Sequence, residues 1–531
     1  MGLDLSTQGI SAVVLDIDKR ARVFERSLDY CQDPRLNSFG IREEDYILPP
    51  LEEGEASQPP GMFFTALDAI FSDLKAEVDT GNIIVINASA QQHGHVYLNE
   101  RAEVVFQRLT EEDSAVSDLA SLLPEGLAYD RAPIWMTANT GEEAAFIRDN
   151  IGGKERVIEL SGSDVPLRFT GVVIRKIARA FPEVYRQTAC IPLLSSLVPA
   201  VLTGNSRTPL DYGNACGMSL MDYRRKDWSR ALVEAVADGL PGGENALREK
   251  LSPLVAPDAV VGGIAAYFVG KYGFSLSCRV VAGSGDNPQS KVLVAGDLLS
   301  LGTSIVNMVA TDGNTLDMNG YANAMYDGVG RPFIFGCRTN GAMVWDRLRA
   351  LYGLKKEDYG PAEDALRQTP VGQNLVFWQP RDESFPPSGK IDLVRPGETA
   401  PGLGSDYSGL IESTLSAVYY HSLGFAGENT GPLYVTGGAR NSPEILRRIA
   451  AIWNRPVTPI EEGGAALGAA VAGSGAVLMS GGEAFDIESY IGDSILKRDR
   501  SVEPDDKDVR DFHRPGGYLE RFAAAEAGLI G

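Results

Sequence analysis

The sequence predicts a two-domain α/β protein, and three observations carry that expectation. The pentapeptide Leu3-Asp4-Leu5-Ser6-Thr7 returns as Leu299-Ser300-Leu301-Gly302-Thr303. Each copy sets a short apolar strand before a small hydroxyl-rich turn and a second strand, Ile10–Leu15 in one case and Ile305–Ala310 in the other. Strand patterns alternate with helix patterns along the chain, as in α/β folds. Finally, a chain of 531 residues is too long for one core. Two domains of roughly 200 to 300 residues are the natural division.

Taken in order, Gly2–Leu5, Ile10–Asp16 and Ala21–Arg26 read as an N-terminal meander. The stretch Arg35–Pro60 is rich in charge and proline and reads as a surface connection. Apolar residues at helical spacing predict a helix over Met62–Val78. Asn82–Ile86 reads as a buried strand that delivers Ser89-Ala90-Gln91-Gln92-His93-Gly94. Helices are expected over Gly141–Ile151, Gly171–Ala180 and Trp228–Asp238. A strand over Cys278–Ala282 leads into Gly283-Ser284-Gly285-Asp286-Asn287-Pro288, and the second meander is expected from near Val292. Arg381–Pro401 lacks periodicity and reads as loop. A helix over Ser408–Ala426, a strand over Pro432–Thr436 and a helix over Ser442–Trp453 follow. The apolar run Ala465–Met479 is interrupted by Gly468, Gly473 and Gly475 and is too short to span a bilayer. It reads as a small-residue helix packed closely on a neighbour.

Acidic residues outnumber basic ones 71 to 49, for a formal charge of -22. That balance argues against nucleic acid and anionic membranes as partners, while leaving local nucleotide binding open. Cys31, Cys190, Cys216, Cys278 and Cys337 are scattered and never form a Cys-x-x-Cys pair, so free thiols in a reducing compartment are expected. The strand-like start at Met1–Leu5 leaves no room for a signal peptide. A soluble, cytoplasmic protein is therefore expected.

Neither a P-loop nor a well-placed Gly-x-Gly-x-x-Gly is present, so phosphate binding would fall to the two repeated turns. Their Ser, Thr and Gly residues bring N–H and O–H donors close together. In Thr436-Gly437-Gly438-Ala439-Arg440-Asn441-Ser442, the glycine pair lets a ring or ribose lie against main chain, and the helix N-terminus beyond favours negative charge. A tight turn capped by Ser442 accounts for the same residues without a ligand. Asp286 follows two glycines at a strand end, where it can take a proton from a hydroxyl whose oxygen attacks phosphorus. Asp-Asn-Pro is also a good turn sequence. His93, with Gln91 and Gln92, can donate hydrogen bonds to a polyol or serve as a buried structural histidine. Only His95, His421 and His513 accompany it, too few for a zinc site to be supported. No Gly-x-Ser-x-Gly elbow exists for a hydrolase triad.

At these residues the chain resembles the FGGY family of carbohydrate kinases, within the actin/Hsp70/hexokinase superfamily. Gln91-Gln92-His93-Gly94, Trp135-Met136, Arg168-Phe169-Thr170-Gly171, Gly285-Asp286-Asn287-Pro288 and Ser300-Leu301-Gly302-Thr303-Ser304 carry the resemblance in order and at compatible spacing. They are most similar to the eukaryotic branch acting on D-xylulose. The resemblance implies two actin-like (ribonuclease H-like) domains with a cleft between them. A sugar-binding domain would cover 1–287 and a nucleotide-binding domain 288–509. A terminal helix near Gly516–Ala527, within 510–531, would pack back on the first.

The implied reaction is transfer of phosphate from ATP, with Mg2+, to the terminal hydroxyl of D-xylulose, giving D-xylulose 5-phosphate. Ribulose, ribitol or another ketose or polyol is the alternative acceptor. A non-catalytic sugar- or nucleotide-binding protein is the alternative class, and a homodimer is left open. Carried over by motif, Asp286 would be the general base. Gln92, His93, Trp135, Arg168, Asp286 and Asn287 would contact the sugar. Ser6, Thr7, Gly302, Thr303 and Ser304 would hold phosphates, and Gly437, Gly438 and Asn441 the adenosine. Asp4 would orient magnesium through water. Two departures stand out. The first turn is followed by Gln8-Gly9-Ile10-Ser11, with no basic residue, and Trp135-Met136-Thr137 lacks the acid many relatives carry there.

Overall fold

A computed structural model describes residues 1–112, 116–355, 357–397, 400–427, 431–482 and 485–530. The chain forms two compact units, one comprising Met1–Ala295, Ala324–Pro332 and Gly463–Ile495, the other Gly296–Asn323, Phe333–Glu462 and Leu496–Gly531.

In the first unit the meander consists of β1 (Gly2–Leu5), β2 (Gly9–Asp16) and β3 (Ala21–Asp29). A two-residue strand β4 (Ser57–Gln58) and helix α1 (Pro60–Glu77) follow. Next come β5 (Val85–Ala90), β6 (Ala132–Pro133) and α2 (Thr170–Ala180). The unit's later strands are β7 (Val260–Gly263), β8 (Arg279–Val281) and β9 (Ser284–Gly285), ending in helix α3 (Asp286–Val292). The sheet runs β7-β8-β5-β1-β2-β3, with β9 also paired to β5. Strands β1, β8 and β9 all run parallel to β5, so β1, β5 and β9 end at one edge. Open α/β sheets bind ligands outside the carboxyl ends of such strands. Helix α1 buries Phe63, Phe64 and Phe71 against this sheet and its neighbours.

The second unit repeats the plan with β10 (Leu298–Leu301), β11 (Ile305–Ala310), β12 (Pro332–Arg338), β13 (Leu433–Thr436) and β14 (Val457–Pro459). Its order, β12-β11-β10-β13-β14, matches β3-β2-β1-β5-β8 of the first unit. The senses match too: the meander is antiparallel, and the last two strands join it in parallel. The repeated pentapeptide is thus the visible part of a repeated domain topology. Helices α4 (Leu403–Ser422) and α5 (Pro443–Trp453) belong to this unit.

The chain then returns to the first unit as α6 (Gly464–Ser480), the small-residue helix. It packs on β1, β5 and α3. A β-carbon built at Gly468 would lie 1.8 Å from the Gln289 carbonyl oxygen, and one at Gly2 would lie 2.0 Å from that of Ala466. Backbone-to-backbone approach is what the Ala/Gly composition provides. The last helix, α7 (Tyr518–Ile530), belongs to the second unit, not the first as expected. Its contacts decide the matter: the Tyr518 hydroxyl meets Ser413 Oγ at 3.0 Å, Glu526 meets His421 at 2.8 Å, and Phe522 stacks on Phe377.

Other boundaries also differ from expectation. Thr80–Asn82 forms a 3₁₀ turn capped by Asp79, which moves the following strand to Val85–Ala90. The segment before Val292 is helix α3, and the second meander starts at Leu298. The expected loop Arg381–Pro401, whose residues 398–399 lie outside the described set, contains short strands at Glu383–Ser384, Pro387–Ser388 and Ile391–Val394. The helix expected over Ser408–Ala426 begins at Leu403, where the buried Asp406 carboxylate takes two bonds from Arg395. All five cysteines are free thiols. Among the described residues no helix is long and apolar enough to cross a membrane.

Candidate active site

In the first unit, strand register places three polar residues in a row. Asp4 on β1 lies opposite Ser89 on β5, and Ser89 lies opposite Ser284 on β9. Just beyond this row the strands release the turn Ser6–Gln8, the segment Gln91–Gly94 and the N-terminus of α3 with Asp286.

The first turn closes by Ser6: its N–H and its hydroxyl both donate to the Gly9 carbonyl, at 2.9 and 3.0 Å. Gly9 cannot be larger, because a β-carbon there would sit 2.1 Å from the Leu28 carbonyl oxygen. The Thr7 hydroxyl donates to Gln91 Oε1 at 3.1 Å and accepts from Trp135 Nε1 at 2.8 Å. The indole of Trp135 is otherwise 44% exposed.

Asp4 and Asp286 are two of the acids of this edge. Burial pushes the Asp4 carboxyl up to about 6. Burial, and then the charge of Asp4, push Asp286 up to about 7. Asp286 Oδ1 accepts from the Asn287 backbone N–H at 2.8 Å and from Asn287 Nδ2 at 3.2 Å. The same Nδ2 donates to Gln92 Oε1 at 2.9 Å, so Gln92, Asn287 and Asp286 form one chain. Asp4 Oδ1 is buried without a hydrogen-bond partner. An orphaned carboxylate oxygen beside a second raised carboxyl suits a cation. Among the described residues no group of three or more His, Cys, Asp or Glu is placed to hold a metal ion.

His93 sits at φ 67°, a left-handed conformation uncommon for a non-glycine residue. Its Nδ1–H donates to the Gly217 carbonyl at 2.8 Å, and its ring stacks on Phe169 with centroids 4.6 Å apart. Burial, and then the positive charge of Arg168, lower the ring to about 3. The imidazole is therefore neutral, with the hydrogen on Nδ1 and the Nε2 lone pair left as an acceptor. Thr170 Oγ1, at the start of α2, holds the His93 carbonyl at 3.2 Å. His95 is structural: its Nδ1 bonds the His93 carbonyl, and its Nε2 meets the Tyr97 hydroxyl at 3.1 Å.

In the second unit, Gly302 N–H donates to the Ser304 carbonyl at 3.1 Å, closing the second turn around Thr303. Ala342 N–H donates to the Gly302 carbonyl at 3.0 Å, and a β-carbon at Gly341 would lie 2.6 Å from the Ser304 carbonyl carbon. Gly437, at φ 90°, sits against the Leu301 carbonyl, where a β-carbon would lie 2.4 Å away. Gly438 faces open space, and Asn441 Nδ2 bonds the Gly438 carbonyl at 3.4 Å. The Thr436 hydroxyl beside them is buried with no partner.

Sequence reasoning missed several of these supports. Glu383, fully buried, accepts from Thr339 N at 2.6 Å, Asn340 N at 3.1 Å and Asn340 Nδ2 at 2.9 Å, fixing the loop that leads to Gly341. Its stretch read as loop. Phe169 lies inside a motif yet reads there as an ordinary apolar neighbour. Gln58 reads as part of a surface connection, and no local signal marks it.

Residues 125–292 match the FGGY family of carbohydrate kinases, N-terminal domain. The chain is 30% identical to xylulose kinase 2 of Arabidopsis thaliana, covering 89% of this chain and 86% of that protein. The chain belongs to the FGGY family of carbohydrate kinases. This kinase is also 28% identical to the xylulose kinase of Schizosaccharomyces pombe, over 93% of this chain and 92% of that one. Its fold is that of the xylulose kinase structure from Rhodospirillum rubrum, with a TM-score of 0.78 at 17% identity, covering 99% of this chain and 98% of the other.

Proposed function

We propose that this kinase transfers the γ-phosphoryl group of ATP to the terminal hydroxyl of D-xylulose, giving D-xylulose 5-phosphate and ADP. The observation that carries the reading is Asp286: a carboxyl raised to about 7, at a helix N-terminus, chained through Asn287 to Gln92. A base of that strength is still ionised in part at neutral pH and holds a proton better than an ordinary carboxylate. The curated relatives supporting the acceptor are named xylulose kinases and align over nearly the whole chain.

In this reading Asp286 takes the hydroxyl proton while the oxygen bonds to phosphorus, and the bond to the β-γ bridging oxygen breaks to release ADP. Asp286 then returns the proton to water. Asn287 and Gln92 hold its carboxylate and contact the sugar. His93 accepts a sugar hydroxyl hydrogen at Nε2, Arg168 donates to another hydroxyl, and Trp135 offers an apolar ring face to the carbon chain. The turns of Ser6, Thr7, Gly302, Thr303 and Ser304 meet phosphate oxygens, through the backbone N–H groups that the turn-closing bonds of Ser6 and Gly302 leave open. Gly437, Gly438 and Asn441 meet the adenosine. Magnesium, when bound near Asp4, would supply positive charge to the phosphates. The first unit is thus read as sugar-binding and the second as nucleotide-binding.

One sequence departure favours a second reading, a different ketose or a polyol such as ribulose or ribitol: Met136-Thr137 replaces the acid common after the tryptophan. The stretch Gln8-Gly9-Ile10-Ser11, which lacks a basic residue, favours instead a sugar- or nucleotide-binding protein without turnover. A substrate panel with coupled ADP detection decides between them. D-xylulose is expected to give the highest kcat/KM, and a better acceptor in the panel overturns the assignment. Asp286→Ala is expected to abolish sugar-dependent turnover while sugar binding stays measurable.

A further inference from the structure

We propose that Gln58 is a positioning residue that locks the first turn and Trp135 into one unit. Gln58 is fully buried on β4, as is Gln91 just past β5. Gln58 Nε2 donates to the Thr7 carbonyl and the Tyr46 carbonyl, each at 2.8 Å. Gln58 Oε1 accepts from Gln91 Nε2 at 2.7 Å, and Gln91 Oε1 accepts from the Thr7 hydroxyl at 3.1 Å. The three residues therefore close a ring: Gln58 to Thr7 through main chain, Thr7 to Gln91, and Gln91 back to Gln58. Trp135 enters it through the Thr7 hydroxyl at 2.8 Å.

The ring admits one orientation. If the Gln58 amide were turned over, its oxygen would face two carbonyl oxygens, and its NH2 would face the Gln91 NH2. Both Gln58 donors are spent, and the single Thr7 hydroxyl hydrogen is committed to Gln91. What Thr7 has left to offer an anion is its backbone N–H, and Gln58 sets the direction of that backbone at the Thr7 carbonyl. The partner strand reinforces this: Gln58 pairs with Ala132 of β6, three residues before Trp135. One amide thus fixes both the Thr7 backbone and the anchor of the exposed indole. Buried rings of this kind are rigid when complete, and costly when one member is lost.

The inference rests on the reading above, in which the turn meets phosphate and Trp135 meets sugar. Gln58→Met, which keeps volume but removes the amide, is measured in the full chain alone, with Gln91→Met, and in combination. The assays use MgATP and the best sugar of the panel. Gln58→Met is expected to lower kcat about tenfold or more and to raise the KM for ATP, the scale on which small misplacements act. The double variant is expected to be within about twofold of the worse single one, because either change opens the same ring. Wild-type kcat and KM in Gln58→Met, or losses that multiply in the double variant, overturn the proposal. Should Gln58→Met not fold, Trp135→Phe reads the circuit from its exposed end. A kcat loss at saturating sugar supports the proposal, and an effect confined to the sugar KM overturns it. An active Asp286→Ala would instead take Asp286 out of the base role, whereas an inactive one beside an unaffected Gln58→Met removes only the role of Gln58.

Discussion

The negative charge of Asp4 holds up the Asp286 carboxyl, second only to burial, so that Asp286 is raised to about 7 while Asp4 itself rises to about 6. Like charges at one strand edge favour sharing a proton, and a cation beside them relieves both.

A pH profile follows with a definite sign. Asp286 acts as a base only when ionised, so sugar-dependent turnover is expected to rise with pH through about 7. In Asp4→Asn the like charge is gone, and the Asp286 carboxyl is expected to titrate lower by carboxyl-carbon NMR. An unchanged midpoint would show that the two acids do not interact. Stability runs the other way. The unfolded chain loses this proton near 3.8 and the folded one near 7, so stability falls as pH rises across that window. Asp286→Asn should flatten that fall in thermal unfolding measured from pH 4 to 8, a span set by those two values.

His93 is expected to stay neutral, with its hydrogen on Nδ1, throughout the working pH range. Its ring is lowered from 6.5 to about 3, so the stability it contributes is complete above 6.5 and is lost as pH falls toward 3. Nitrogen-15 spectra of the imidazole test this directly. Protonation of the ring near pH 6, the ordinary histidine range, would sink the assignment of Nε2 as an acceptor. His93→Phe, which keeps a ring over Phe169 but no acceptor, is expected to raise the sugar KM more than it lowers kcat.

What the sequence shows of the candidate site sits at strand ends, where residue type and turn geometry coincide. Asp286, Gln92-His93 and the two turns are local features of that kind. What stayed hidden is what depends on register and on distant partners. Gln58 reads as part of a proline-rich connection until β4 pairs with β6. Glu383 reads as loop until its carboxylate is found bonding Thr339 and Asn340. The misplaced terminal helix has the same origin: amphipathicity shows that Tyr518 and Phe522 need a partner, but not that Ser413 and Phe377 supply it.

Ser11 offers a gain-of-function test. It is the cross-strand partner of Asp4, so both side chains leave the same face of the sheet. Its hydroxyl meets the Ser27 hydroxyl at 2.8 Å. Ser11→Lys would place an ammonium beside Asp4, lowering that carboxyl and adding charge for phosphate. The expected result is a KM for ATP lower by about twofold to fivefold, the effect of one added charge contact. A higher KM would mean that the lysine pairs with Asp4 and displaces the cation instead.

The small-residue helix α6 gives the last prediction, on stability. Gly468 lets α6 lie against α3, whose first residue is Asp286, with the Gln289 carbonyl 1.8 Å from where a β-carbon would be. Gly468→Ala must push the helices apart and so displace the base. A cost of about 3 kcal/mol, the upper end for overpacking, is expected in urea unfolding, since the obstacle is backbone and cannot change rotamer. Gly528→Ala in α7 is the control. Nothing lies within 4 Å of its added carbon, so relief of glycine's conformational entropy should stabilise that helix. The gain is expected to be about 0.5–1 kcal/mol. If both substitutions were neutral, close approach of α6 would not be what the alanines and glycines of Ala465–Met479 are for.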